Sequence, residues 1–324
     1  MKYYDPAYYS EFRCIAAACP DSCCQGWDVV IDSETEDYYN SVQGEFGDKL
    51  REAIYTDPDG DRVFHLAEEK KCPFWGADHL CDIYRELGEE RLCDTCAQFP
   101  RITMDYTTFT EHTLALACPE AARLILSADD AYAAFVDIDC KSCEEYDADV
   151  MRFLLRMRNR AAEILTESKP LAERLEQLRK LATEAQRELT GEVVECEPLP
   201  STVFEELEYI DKHNREKIIQ AAREKADFSD HEMELTRLAL YWLYRYLLGT
   251  IDTYDLIAPI RFIIGSVAVV ANLAQKSGDV ITAAQTYSKE VEQSYENMEV
   301  LMRNEELGIR NYGKTLARFL IVKR

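Results

Sequence analysis

Nine of the twelve cysteines in this 324-residue chain fall at or before position 118: Cys14, Cys19, Cys23, Cys24, Cys72, Cys81, Cys93, Cys96 and Cys118. The remaining 206 residues hold Cys140, Cys143 and Cys196. A chain of this length can bury a full core without a disulfide or metal staple. The N-terminus, Met1-Lys2-Tyr3-Tyr4-Asp5, lacks the charged-then-apolar pattern of a secretory signal, so a cytoplasmic location is expected. In a reducing compartment a dense thiol group points to metal binding or redox chemistry rather than to disulfides. A lone cysteine is a small buried hydrophobe; nine within 118 residues are not explained that way.

The spacing is uneven. A first group reads Cys14-x4-Cys19-x3-Cys23-Cys24, with Pro20, Asp21 and Ser22 supplying turn-forming residues. A second reads Cys72-Pro73, Cys81-Asp82, Cys93-x2-Cys96 and Cys118-Pro119. Thiolates in this number suit an iron-sulfur cluster, 4Fe-4S above all, or zinc. Structural zinc sites usually repeat Cys-x2-Cys knuckles in pairs; the single knuckle here favours iron-sulfur and leaves zinc as the alternative. Cys72 and Cys118 each precede proline, which suits the first helical position, so each is expected at a helix N-terminus where free N–H groups stabilise a thiolate. Cys140-x2-Cys143 lies apart from the main group and reads as a surface or redox pair.

Residues 1 to 127 have the texture of a site-bearing α+β region. Trp27-Asp28-Val29-Val30-Ile31-Asp32 roughly alternates as a half-buried strand does, Arg62 to Leu66 and Ile102 to Leu116 are weaker strands, and Asp57-Pro58-Asp59-Gly60 is a turn. Residues 128 to 324 read as helices. Val150 to Leu165, Leu171 to Leu189 ending at Gly191, Val203 to Ala226 and Leu235 to Leu247 carry helical spacing. The run Ala258 to Ala274 is apolar all round, and Val280, Ala284, Tyr287, Val291, Tyr295, Met298 and Met302 mark one more amphipathic helix. The expected fold is mainly α: a small cysteine-rich α+β metal-binding region packed on an α-helical bundle. The longest strongly apolar stretch, Phe262 to Ala274, is too short to span a bilayer.

With 37 Lys+Arg against 61 Asp+Glu, the net charge of −24 repels a phosphate backbone and an anionic membrane alike. Nucleic acid and membrane are therefore poor partners, and a lysine-bearing protein is a better one. The oligomeric state is not encoded in any of these features.

The ordered set Phe12-x-Cys14, Cys19-Pro20-Asp21-Ser22-Cys23-Cys24-Gln25-Gly26-Trp27-Asp28-Val29-x-Ile31-Asp32, Cys72-Pro73-Phe74, Leu80-Cys81-Asp82-Ile83-Tyr84, Leu87-Gly88-Glu89-Glu90, Thr95-Cys96-x-x-Phe99-Pro100-Arg101 and Cys118-Pro119-Glu120-Ala121-Ala122-Arg123 resembles the flagellin lysine-N-methylases. It is also similar to the broader class of zinc- or iron-chelating cysteine-cluster proteins. The resemblance covers about the first 126 residues. It implies methyl transfer from S-adenosylmethionine to lysine ε-amines of flagellin, or of another lysine-bearing protein, by a protein with an iron-sulfur cluster. It also implies a ligand list of Cys14, Cys19, Cys23, Cys24, Cys72, Cys81, Cys96 and Cys118, with Cys93 set aside because its place in the family pattern is less secure.

With 12 glycines and no glycine-rich fingerprint in a βαβ context, the chain does not carry the common nucleoside-binding loop of methyltransferases. The Cys-x3-Cys-x2-Cys spacing of radical enzymes is also absent. Polar transfer needs a neutral lysine amine and hence a nearby proton acceptor. Asp82, Tyr84 and Glu120 are the catalytic candidates, with Asp32 and Glu111 behind them. Arg101 is a catalytic and donor-carboxylate candidate, and Trp27 could wall the centre or cage a methylated amine. Each also has a bland reading as a cap, a packing group or a ligand-orienting neighbour. His65, His79 and His112 are possible substitutes for a thiolate ligand. The rival from another class is a non-catalytic protein whose metal is structural or in transit and whose helices dock a partner.

Overall fold

The computed structural model describes residues 2–58, 60–67, 70–135, 138–304 and 307. In chain order the elements are β1 (Lys2–Tyr4), α1 (Ser33–Ser41), α2 (Gly44–Ala53), β2 (Ile54–Thr56), β3 (Arg62–Phe64), α3 (Asp82–Leu87), α4 (Asp94–Gln98), β4 (Arg101–Asp105), β5 (Phe109–Leu114) and α5 (Pro119–Ser127). The helical part follows with α6 (Ala148–Leu165), α7 (Leu171–Thr190), α8 (Lys212–Arg223), α9 (Glu232–Tyr246), α10 (Thr250–Thr253), α11 (Ile257–Ser277), α12 (Val280–Tyr287), a π-helical turn over Ser288–Glu292 and α13 (Tyr295–Met302). The protein is mainly α with small sheets, as its sequence pattern predicts.

One sheet has the order β1-β5-β4. Strand β1 runs parallel to β5 with Lys2 opposite Phe109, and β4 pairs antiparallel with β5 with Arg101 opposite Leu114. The run Ile102 to Leu116 thus forms a hairpin. The second sheet is the β2-β3 ribbon. The turn joining its strands is held by Gly60 N–H to Asp57 O at 3.1 Å, and Asp59 lies outside the described residues.

Two apolar cores result. The larger packs Tyr8, Phe12, Ile102, Met104, Phe109 and Leu114 with α5 and the helices from α6 onward. It encloses the bidentate pair of Glu111 on β5 and Arg158 on α6, at 2.7 and 2.9 Å with both side chains fully buried. The smaller core gathers Val29, Ile31, Tyr39, Leu50, Phe64, Phe74 and Ile83 around the thiols of Cys72 and Cys93. Trp27, packed on Ala117, Phe99 and Ile210, forms a separate small cluster.

Several sequence expectations change. The alternating run at Trp27–Asp32 is extended but meets β3 through a bridge of Val30 with Val63 and two backbone bonds, Ile31 N–H to Arg62 O and Phe64 N–H to Val29 O, without forming a strand of its own. The helix expected over 203–226 is a single 3-10 turn, Ser201–Glu205, followed by α8. The break falls where Asp211 accepts the N–H of Asn214 and caps α8. The helix expected from Val280 to Met302 is likewise interrupted by the π turn, after which Ser294 caps α13. Helix α11 is longer than its strongly apolar stretch. By length and composition its 21 residues are enough to cross a membrane, yet α7, α8, α9 and α12 pack on it, and Val267 and Val270 are fully buried. Such burial is what an all-apolar core helix requires.

Candidate metal centre

The first thiol group is shaped by short-range hydrogen bonds. Cys14 is exposed, the 3-10 turn Ala16–Ala18 is closed by Cys19 N–H to Ala16 O, and Cys24 N–H donates to Ser22 Oγ at 3.0 Å. The second group is stitched to it by the backbone: Cys72 N–H donates to Cys24 O at 2.8 Å and Gly26 N–H to Lys70 O at 3.0 Å. Gly26 has φ +107°, and a Cβ there would stand 2.8 Å from Ile210 Cδ1, so a side chain would be strained in conformation and in space. Asp82 N–H to Phe74 O at 2.8 Å and the bridge between Trp75 and Cys81 then bring Cys81 back beside Cys72.

Three cysteines occupy helix N-caps: Cys81 on α3, Cys93 on α4 and Cys118 on α5. Cys118 is where its following proline predicts. Cys72 is not at a helix, because Trp75 N–H folds back onto Cys72 O at 3.1 Å and closes a turn. The caps at Cys81 and Cys93 escaped the sequence reading because α3 and α4 have six and five residues, too few to show periodicity. An acidic residue directly after each, Asp82 and Asp94, was the available signal.

The thiols influence one another across both groups. Burial pushes Cys72 up to about 12, and the neighbouring charges of Cys81, Cys93 and Cys23 add to the rise. Cys118 is also pushed up to about 12 by burial, opposed by the N–H groups of Ala121 and Glu120 and reinforced by Cys19 and Cys23. A hydrogen bond with Cys24 and burial raise Cys23 well above the ordinary thiol value, while the Lys289 ammonium pulls the other way. Cys96 lies well above that value through its bond with Cys93 and its burial, with Cys24 and Cys72 contributing. Tyr39, whose hydroxyl donates to Arg91 O at 2.8 Å, feels Cys93, Cys96 and Cys81 together. Cys93 therefore stands among the other thiols, beside Cys96.

The donor chemistry fits a soft metal centre. Buried thiols that raise one another are costly to ionise alone, and a cation relieves that cost for all of them at once. Cys23 is hydrogen-bonded to Cys24, and Cys93 to Cys96, as thiols. Among the described residues no three His, Cys, Asp or Glu side chains already converge to hold an ion, so a metal there would need the thiolates to move together.

The remaining candidates are dispersed. Asp82 meets Lys49 at 3.2 Å and Arg85 at 3.7 Å, and Tyr84 is 52% exposed. Glu120 is gripped by Arg123 at 2.6 and 2.8 Å, which holds its carboxyl below the usual range. Arg101 lies 5.2 Å from the centre of the Phe12 ring and 5.8 Å from that of Tyr9. No hydrogen bond or ion pair joins any two of these four residues among the described contacts. Trp27 is 3% exposed; its indole N–H donates to Cys23 O at 3.1 Å and its ring faces Lys289. Asp32 caps α1, and Glu111 is committed to Arg158. His65, His79 and His112 pack on Tyr55, Trp75 and the pair Tyr3/Tyr9. Cys140 donates to Ala148 O at 3.8 Å, and Cys196 is pushed up to about 12 by burial.

Fold and thiols together define a mainly α protein with a cysteine-rich site built from the N-terminal third. In sequence the chain is 32% identical over 136 residues to the flagellar biosynthetic protein FliU of Salmonella muenchen, a match covering 40% of this chain and 79% of that protein. It is also 32% identical over 141 residues to a lysine-N-methylase of Salmonella choleraesuis and over 136 residues to one of Salmonella typhimurium, covering 40% of this chain and 33% of each relative. The chain belongs to the family of these proteins, that of FliU and the lysine-N-methylases. No family model matches it, and no solved structure matches it.

Proposed function

We propose that the chain is a protein-lysine N-methyltransferase that takes its methyl group from S-adenosylmethionine, acts on flagellin or another lysine-bearing protein, and holds an iron-sulfur centre, with zinc as the alternative metal. What supports this reading is the backbone stitching of the two thiol groups, Cys72 N–H to Cys24 O at 2.8 Å and the bridge of Trp75 with Cys81, in a chain similar to two lysine-N-methylases. Cys14, Cys19, Cys23, Cys24, Cys72, Cys81, Cys96 and Cys118 would supply the ligands. Such a centre, when bound, would supply electron transfer.

Methyl transfer to a lysine breaks the sulfonium C–S bond, with its electron pair left on sulfur, and forms an N–C bond from a neutral amine, so a proton must leave the ammonium first. Glu120, held ionised by Arg123, is a weak acceptor. Asp82 stands beside Lys49 and Arg85, in the first turn of α3 where a negative charge is favoured. The net charge of −24 attracts a lysine-bearing substrate.

The test is the anaerobically loaded full chain incubated with flagellin and S-adenosylmethionine and read by intact mass. A stepwise gain of methyl groups on flagellin is expected; unmodified flagellin contradicts the assignment.

A second reading, a non-catalytic metal protein, has one observation in its favour. The cavity of about 630 Å³ between α6, α7 and α9 is lined by Tyr132, Tyr244, Arg174 and Glu163 but by none of the cysteines. It opens at the C-terminal end of α5, while Cys118 caps the other end. This reading predicts a colourless zinc protein.

A further inference from the structure

The π turn brings a buried lysine against the first thiol loop. Lys289 is 9% exposed, although lysine is among the residues least often buried. Its Nζ donates to both carboxylate oxygens of Asp21, at 2.7 and 2.9 Å, and to Ser22 O at 3.0 Å. It also stands 5.4 Å from the centre of the Trp27 ring, whose own N–H holds Cys23 O. Gln285, one turn earlier, donates to Asp21 Oδ2 at 2.8 Å and to Ala117 O at 2.9 Å, the residue before Cys118. The same five-residue turn fixes itself elsewhere. Glu290 accepts the N–H of Ile210 at 2.7 Å, and Glu292 is paired with Arg245 at 2.9 Å, with both of those side chains fully buried. Holding an ammonium out of water is unfavourable unless it is paired. The π turn is the local feature that lets successive charged residues face different partners.

We propose that Lys289 is a positioning residue for the metal centre: it fixes the Cys19–Cys23 loop and supplies the positive charge that balances bound thiolates, with Asp21 as its counterweight. This rests on the metal-centre reading above and extends the site to a residue outside the cysteine motifs. A nearby cation favours the more negative, reduced form of a cluster, and a nearby carboxylate disfavours it.

The test uses the full chain as wild type, K289M, K289R and D21N, each loaded anaerobically with iron and sulfide. Iron and sulfide per chain and the reduction midpoint are measured, with circular dichroism confirming the fold. K289M should shift the reduction equilibrium toward the oxidised form by about tenfold, D21N should shift it the other way, and K289R should stay near wild type. If K289M does not load, a D21N midpoint shifted toward the reduced form beside a K289R midpoint near wild type still supports the role. Equal midpoints in all four proteins, or K289M and D21N shifting in the same direction, would overturn it, since loosening the loop alone has no reason to give opposite signs. A wild-type chain that takes up no iron and sulfide withdraws the iron-sulfur reading on which this role rests, and does so before any variant is compared.

Discussion

The carboxylate of Asp32 accepts the backbone N–H of Asp94 at 3.0 Å while also capping α1 through the N–H of Thr35 at 2.8 Å. One side chain thus joins the start of α1 to the start of α4, the helix capped by Cys93. Thr95 strengthens the same junction by donating to Val30 O at 2.8 Å.

Loss of this cap should be measurable and should depend on pH. Partial burial would raise the Asp32 carboxyl, but the hydrogen bonds from Asp94 and Thr35 outweigh it and hold the group below its ordinary value of 3.8. A lowered folded-state value stabilises the protein above the unfolded value and loses that contribution as pH falls through the folded one. Asp32→Ala should therefore cost about 1–2 kcal/mol at neutral pH. In denaturant titrations the difference from wild type should shrink as pH drops below 3.8. A difference that stays constant with pH would contradict the role.

Thiol reactivity should follow position in the array. At about pH 8 a thiol with a value near 12 is ionised in about one molecule in ten thousand. In metal-free protein, iodoacetamide should therefore label exposed Cys14 well before Cys72 and Cys118. Loading with metal should then protect Cys14 too. Mass spectrometry of peptides over a time course reads both outcomes, and Cys72 labelled as fast as Cys14 would count against the geometry.

The buried Glu111–Arg158 pair supports the sheet against α6 rather than chemistry at the thiols. Removing one partner by Glu111→Ala should destabilise the fold by about 3–5 kcal/mol, because Arg158 is left buried and unpaired. Replacing both, as Glu111→Leu with Arg158→Met, should recover most of that loss in equilibrium unfolding. A double variant no better than the single would show that the pair matters for more than mutual neutralisation.

Much of this was legible in the sequence, for reasons that differ by element. Helices α6, α7, α9 and α11 are long enough for their apolar spacing to appear, and Pro119 marked α5 with Cys118 at its cap. The interrupted helix after Val280 was not legible. Its apolar residues from Val280 through Val291 to Met302 keep helical spacing across the π turn, so periodicity gives no sign of the break. Lys289 was hidden for a related reason, since a lysine in an amphipathic pattern reads as a solvated position until its partners Asp21 and Trp27, more than 260 positions earlier, are placed beside it. Cys72 misled because a proline after it suits a turn as well as a helix start, and the backbone of Phe74 was already taken by Asp82.

Anaerobic purification followed by metal and acid-labile sulfide analysis with an absorption spectrum tests the central claim most directly. A brown, oxygen-sensitive protein containing iron and sulfide together, whose content falls when Cys23 or Cys118 is replaced by serine, is the predicted result. Zinc without sulfide, or an iron and sulfide content unchanged by those replacements, would contradict it.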